Sequence, residues 1–70
     1  MNICEIVGTN LRKARQDSGH SQEEVAHRAE IDRSYLSEVE SGQKNVSITV
    51  LAKIAHGLDI PIASLFEGCE

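Results

Sequence analysis

Aromatic residues, proline and long apolar runs are scarce in this sequence. Its 70 residues include one Tyr, one Phe, one Pro and no Trp. With so few aromatic side chains, we expect a core built from Leu, Ile, Val and Ala. No apolar run approaches the roughly 20 residues that a membrane-spanning helix needs, and no charged-then-apolar signal segment opens the chain. We therefore expect a cytoplasmic protein with no membrane partner.

Cysteine is also rare, and its spacing matches neither a zinc site nor a disulfide framework. Cys4 and Cys69 lie near opposite ends of the chain and form no CxxC pair. Reduced thiols in a cytosolic protein are the simplest interpretation, and a disulfide between the two ends is the alternative. The three histidines match no metal-binding spacing, so we expect neither a metal nor another cofactor.

Basic residues are outnumbered by acidic ones. The sequence has 7 Lys and Arg against 11 Asp and Glu, which gives a net charge of −4. A basic surface is the usual mark of a nucleic-acid-binding domain, because neutralised phosphates supply most non-specific affinity. The deficit argues against strong non-specific binding to DNA but leaves specific binding open.

The length of the chain limits its organisation. Seventy residues make a single domain, 1–70, and a domain of this size buries only about 60% of its unfolded surface. Dimerisation would therefore add stability. No repeat or linker appears, and no room remains for an effector domain, so we expect no small-molecule effector. No nucleophile motif or paired-carboxylate spacing indicates an enzyme.

Helical periodicity recurs along the chain and predicts an all-α fold of five helices. A first apolar stripe runs from Ile3 to Ala14 and ends near Gly19, which suits a left-handed exit. A fourth helix begins at Ser47, with a stripe that contains Ile48, Leu51, Ile54, Ala55 and Leu58. Pro61 suits the first turn of a fifth helix, which Leu65 and Phe66 would anchor.

The centre of the chain, residues 21–42, predicts two short helices joined by a tight turn. Ser21 and Glu24 form a capping-box pattern, and Asp32 is a second N-cap residue whose side chain can accept orphan amide hydrogens. Gly42 then suits the left-handed end of the second helix. Two helices of this length around a three-to-four-residue turn describe a helix-turn-helix.

The strings SQEEVA and RSYLSEVESG, followed by QKN, resemble the helix-turn-helix of the Cro and phage-repressor (XRE-type) DNA-binding domains. The resemblance runs from about Leu11 to Phe66. Within the family, RSYLSEVE followed by G-x-K-N looks most like the small controller proteins of restriction–modification systems. The resemblance implies a compact, lambda-repressor-like fold and a sequence-specific transcriptional regulator that binds double-stranded DNA. The alternative, favoured by the acidic charge, is a protein-interaction module, such as an antitoxin or adaptor, that retains the fold.

In this motif the second helix lies in the major groove and reads bases with its N-terminal residues. Removing the inward positions leaves five candidates for base readout, which are also the family's base-facing positions: Asp32, Arg33, Ser34, Ser37 and Glu38. Arg33 is the strongest, because its planar fork matches guanine O6 and N7. Alternatively, Asp32 only caps its helix, Glu38 orients Arg33 or rejects wrong partners, and the serines merely permit close approach.

Five further residues are expected to contact the sugar-phosphate backbone: Gln22, Tyr35, Gln43, Lys44 and Asn45. Gln22 begins the first motif helix, whose free N–H groups attract anions, and the resemblance implies a backbone contact there. Tyr35 offers a hydroxyl, and the loop 43–45 supplies a second clamp. Contacts of this kind position a protein without reading sequence.

The resemblance also implies a structural ion pair between Arg15 and Glu40. Both residues fall at the edge of their apolar faces, and arginine suits a half-buried bidentate contact. The alternative for Arg15 is a contact to DNA.

One module reads too few base pairs for useful specificity, so we expect a homodimer on a pseudo-palindromic operator, with two recognition helices about 34 Å apart. The interface candidates are apolar residues of the C-terminal part of the chain, whose alternative role is ordinary core: Val50, Ile60, Ile62 and Phe66.

Two positions depart from the family pattern. His20 stands where an apolar residue usually precedes the N-cap. Glu30 stands in the turn where glycine is common because the backbone takes a positive φ. A glutamate in that conformation costs on the order of 1 kcal/mol, so either the strain is tolerated, as we expect, or the turn differs in detail.

Overall fold

Four α-helices and a short 3₁₀ helix follow one another in the computed structural model, which describes residues 2–69. The α-helices are α1 (Ile3–Asp17), α2 (Gln22–Ala29), α3 (Arg33–Glu40) and α4 (Ile48–Gly57), and the 3₁₀ helix spans Ile62–Phe66. No strand occurs within this described range. The predicted all-α class is therefore confirmed.

The fifth element is a 3₁₀ helix rather than the expected α-helix. Pro61 is its N-cap residue and lies one position before its first turn. The segment has only five helical residues before the chain extends again at Glu67, and the tighter 3₁₀ turn is the usual form for so short a piece. Asn10 of α1 fixes its end, because its side-chain amide donates to the carbonyl oxygens of Leu65 (2.9 Å) and Glu67 (2.8 Å).

Side-chain caps begin three of the four α-helices. The predicted capping box of Ser21 and Glu24 is confirmed at α2, and Ser47 caps α4 by accepting from the Val50 amide at 3.1 Å. A second capping box, which the sequence analysis missed, joins Asn2 and Glu5 at α1. These bonds satisfy amide groups that a helix start leaves without partners.

The capping box of α2 depends on the charge of Glu24. The hydrogen bond from the Ser21 backbone amide, with a smaller contribution from His20, lowers the pKa of this carboxyl below 4.5. Because the folded pKa is depressed, the stability from this box is present above the ordinary pKa and is lost as the pH falls through the folded value.

The core is aliphatic, as the composition predicts. α2 packs against α3 and α4, while α1 packs against α3 and the 3₁₀ helix. The buried apolar side chains are Val7, Leu11, Val25, Ala26, Ala29, Leu36, Val39, Leu51, Ile54, Ala55, Leu58 and Leu65. This core holds the two helices of residues 21–42 in fixed positions relative to α1 and α4.

The first residues of two predicted apolar stripes are exposed instead of buried. Ile48 begins α4 with 73% of its surface exposed, and Ile3 begins α1 with 56% exposed. Both line an apolar groove with Phe66. Helical periodicity correctly predicts the helix face on which each residue lies. Each side chain stays exposed because no neighbouring element of the subunit covers it.

Helices α1 and α3 approach each other closely at Gly8, a buried residue of α1. A Cβ atom at this position would lie 2.5 Å from the carbonyl oxygen of Val39 and 2.7 Å from that of Glu40. Only glycine therefore fits without a shift of the backbone. This approach fixes the C-terminal turn of α3 against α1.

Glu30 ends α2 in the left-handed conformation, with φ 58° and ψ 43°. The amide of Ile31 then donates to the carbonyl of Ala26 at 2.9 Å, so the αL residue lets the turn satisfy the last carbonyls of the helix. The positive φ expected for this turn is confirmed. Glu30 adopts this conformation although a residue with a side chain disfavours it.

We expect Glu30→Gly to stabilise the protein by about 0.5–1 kcal/mol, because relief of the left-handed strain exceeds the extra entropy of an unfolded glycine. Urea melts followed by circular dichroism would measure the gain. Glu30→Ala removes the same carboxylate but keeps a Cβ atom, so it should give little or none of it. An equal gain from alanine would show that charge repulsion, not backbone strain, is relieved.

Candidate nucleic-acid interface

One face of α3 presents a polar surface to solvent. Its apolar residues Leu36 and Val39 are buried in the core. The five residues predicted to read bases lie together with Gln22 around one shallow depression: Asp32, Arg33, Ser34, Ser37 and Glu38. The fold thus brings the base-readout candidates and one backbone candidate onto a single open surface.

Asp32 precedes α3 as its N-cap residue, but its carboxylate makes no hydrogen bond to an amide of the first turn. The capping bond expected from the sequence is therefore absent. The backbone of Asp32 is extended, with φ −70° and ψ 142°, which is the usual geometry of an N-cap. Its side chain is exposed on the depression instead.

Arg15 and Glu40 form a bidentate ion pair beneath this surface. Arg15 Nε donates to Glu40 Oε2 at 2.7 Å, and its Nη2 donates to Oε1 at 3.1 Å. The two side chains are only 13% and 3% exposed. Arg15 Nη1 also donates to the carbonyl of His20 at 3.1 Å. The guanidinium therefore ties α1 both to α3 and to the start of the helix-turn-helix, in the ion pair that the resemblance implies.

Gln22 completes this buried network, which the sequence analysis did not anticipate. Its side-chain amide Nε2 donates to Glu40 Oε1 at 3.0 Å. The Glu40 carboxylate, on α3, therefore accepts hydrogen bonds from both α1 and α2. The phosphate contact predicted at Gln22 would use its second amide hydrogen and the free backbone N–H groups of the first turn of α2.

The loop 43–45 extends the polar surface beyond the end of α3, and all three of its side chains are exposed. Lys44 Nζ lies 3.8 Å from Glu38 Oε2. The Cys4 thiol donates to the Asn45 side-chain oxygen at 2.9 Å, which leaves the amide hydrogens of Asn45 for an acceptor such as a phosphate. Cys4 thus supports the side chain of Asn45. Nothing in the sequence indicates this contact, because the Cys4 thiol belongs to no motif.

Tyr35 and the predicted interface residues occupy intermediate positions. The ring of Tyr35 is half-buried against the core. The four candidates for the dimer interface are also half-buried and pack on the core from outside: Val50, Ile60, Ile62 and Phe66. Of these, Phe66 lines the apolar groove that carries the exposed Ile3 and Ile48. Core packing and a shared interface are compatible at these positions.

In the part of the chain that the structure describes, no helix combines the length and apolar character needed to cross a bilayer. Within residues 2–69, no three His, Cys, Asp or Glu side chains stand together as ligands for a metal ion.

Several known proteins are similar to this chain. The helix-turn-helix family model matches residues 11–65. Control protein C.MunI from a Mycoplasma species is 41% identical over 72 residues, which cover 100% of this chain and 97% of the relative. Control protein C.BamHI from Bacillus amyloliquefaciens is 33% identical over 67 residues, or 94% of this chain and 83% of the relative.

The fold has solved counterparts as well. The crystal structure of the restriction-modification controller protein C.AhdI from Aeromonas hydrophila matches with a TM-score of 0.88 and 43% identity. The match covers 90% of this chain and 96% of that one.

Proposed function

The chain belongs to the helix-turn-helix family and is a DNA-binding transcriptional regulator, and from this premise we propose that it acts as a homodimer on a pseudo-palindromic operator, as a restriction–modification controller. The observation that carries the proposal is the single open surface formed by Asp32, the outward face of α3 and Gln22. Relatives of nearly the same length are themselves control proteins, which supports the narrower assignment.

Within this proposal, Arg33 and its neighbours on α3 read base edges, while the loop 43–45 and the start of α2 hold the two flanking strands. The arrangement suits a major groove, because an α-helix fits its width and base edges there differ for every pair. The Arg15–Glu40–Gln22 network lies under the surface and holds α1, α2 and α3 in register. Its role is to position the reading residues.

Selection of bound duplexes from a random-sequence pool would identify the operator. A gel shift with the DNA upstream of the protein's own gene would then test for binding at its natural location. We expect a palindromic or near-palindromic consensus, since each subunit reads one half-site. Failure to bind any duplex would favour the alternative, an interaction module, for which the net charge of −4 is the supporting observation.

Dimerisation requires an apolar surface that the isolated subunit leaves open. The exposed Ile48, together with Phe66 and the other half-buried C-terminal candidates, offers such a surface. Because dimerisation would precede operator binding, such a regulator responds to its own concentration.

We expect sedimentation equilibrium across micromolar concentrations to show a monomer–dimer equilibrium. Ile48→Glu should shift it towards the monomer, because a buried charge at an interface is costly. Circular dichroism provides the control: helix content should not change, since Ile48 is 73% exposed in the subunit. A wild-type protein that sediments only as a 7.7 kDa species at all concentrations would contradict the dimer.

A further inference from the structure

Glu38 and Lys44 form an exposed ion pair on the surface assigned to DNA. Their charged atoms lie 3.8 Å apart, and the side chains are 44% and 46% exposed. The backbone fixes their proximity, because the amide of Gln43 donates to the carbonyl of Glu38 at 3.0 Å. Gly42, at φ +81°, makes the turn that brings the chain back to this carbonyl. The turn at the end of α3 thus places Lys44 beside Glu38.

Lys44 has two alternative partners when DNA binds. Under the proposed function, Lys44 binds a backbone phosphate, whereas its present partner is a carboxylate. A lysine that moves to phosphate leaves Glu38 with an unpaired charge near the DNA strand. Arg33 lies on the same depression as Glu38, but none of the salt bridges formed within residues 2–69 joins the two, and Arg15 is already held by Glu40.

We propose that Glu38 is an internal competitor of the DNA phosphates for Lys44. This inference rests on the proposed function and adds a regulatory role to one of its residues. In the free protein, the Glu38 carboxylate is paired with Lys44. This ion pair must therefore break each time Lys44 binds a DNA phosphate. The exchange lowers affinity for all sequences by the same factor. On an operator it also frees the Glu38 carboxylate to accept from a cytosine amino group, the base contact that suits an acid.

The size of the effect follows from the exposure of the pair. Exposed ion pairs of this kind correspond to roughly a 2- to 5.5-fold change in an equilibrium constant per subunit. Two subunits bind together in the dimer, so the combined factor is about 4 to 30. The effect should shrink as salt rises, because exposed charges are screened.

The test is a cycle of four proteins: wild type, Glu38→Gln, Lys44→Ala and the double variant. Each is titrated at several salt concentrations with a duplex selected from the random pool and with its scrambled version. On scrambled DNA, where no base contact interferes, Glu38→Gln should tighten binding. The tightening should be about 4- to 30-fold larger with Lys44 present than with Lys44→Ala. Glu67→Gln makes the same change in net charge at the exposed C-terminal end and should change binding little.

Equal tightening in the two backgrounds would show that Glu38 only repels phosphates directly, and would overturn the proposal. If the wild type binds the selected duplex and this equality is found, only this inference falls. If neither wild type nor Glu38→Gln binds either duplex, the proposed function falls with it.

Discussion

Arg15→Met should destabilise the protein by about 3–5 kcal/mol, because it leaves the carboxylate of Glu40 buried without its cation. Glu40 would keep only the hydrogen bond from Gln22, and its side chain is 3% exposed. A domain of this size has little stability in reserve. We therefore expect a large fraction of the variant to be unfolded near physiological temperature.

The same change at a neighbouring exposed position is the control. Arg12 also lies on α1 but is exposed to solvent, so Arg12→Met should change stability by less than about 0.5 kcal/mol. Glu40→Leu alone should also be costly, since it leaves Arg15 half-buried without a carboxylate. The double variant Arg15→Met with Glu40→Leu should lose less than the sum of the two. Additive losses in denaturant melts would contradict an energetic coupling between the two side chains.

Arg33→Ala should lose about 1–3 kcal/mol per half-site on the operator and should relax the preference at one base pair. Arg33 is the first residue of α3, is exposed, and lies on the depression with the other candidates. None of the salt bridges formed within residues 2–69 involves it. Its guanidinium is therefore available to a guanine edge without the loss of an internal partner.

Lys44→Ala should behave differently, because its loop lies beyond the end of α3, where we propose that it reaches the sugar-phosphate strand. It should weaken all sequences alike and lower the salt slope by about one per half-site. Titrations of both variants on operator and scrambled DNA at several salt concentrations would separate the two roles. Lys53→Ala, at an exposed position of α4, is the matched control. If Arg33→Ala weakens both DNAs equally, Arg33 is a phosphate anchor instead of a reading residue.

Local signals in the sequence were sufficient for much of the fold. Helix caps depend only on residues a few positions apart, as at Ser21 with Glu24, at Ser47 and at Gly42. The helix ends that they set can therefore be predicted without knowledge of the neighbouring helices. The strained turn at Glu30 was predictable from the family resemblance. The positive φ belongs to the turn, and the departure from glycine is visible in the sequence.

Contacts between distant segments were harder to predict. The bond from Gln22 to Glu40 and that from Cys4 to Asn45 join residues 18 and 41 positions apart. Helical periodicity gives the face on which such a residue lies, but not the atom that meets it. The exposure of Ile48 shows the same limit, since a stripe does not reveal where the covering helix ends. The missing cap bond of Asp32 likewise depends on side-chain geometry that its residue type does not determine.

The contact at Gly8 has a consequence for how such a regulator diverges during evolution. It clamps the inward face of α3 at its last turn, where Val39 and Glu40 are buried, while the outward face opens onto the polar depression. Residues that maintain the fold and residues proposed to read DNA therefore occupy opposite faces of one eight-residue helix. Substitutions on the outward face do not disturb the core. Duplicated copies of this gene could therefore acquire new target sequences by changes on this face, while every descendant keeps the same stable scaffold.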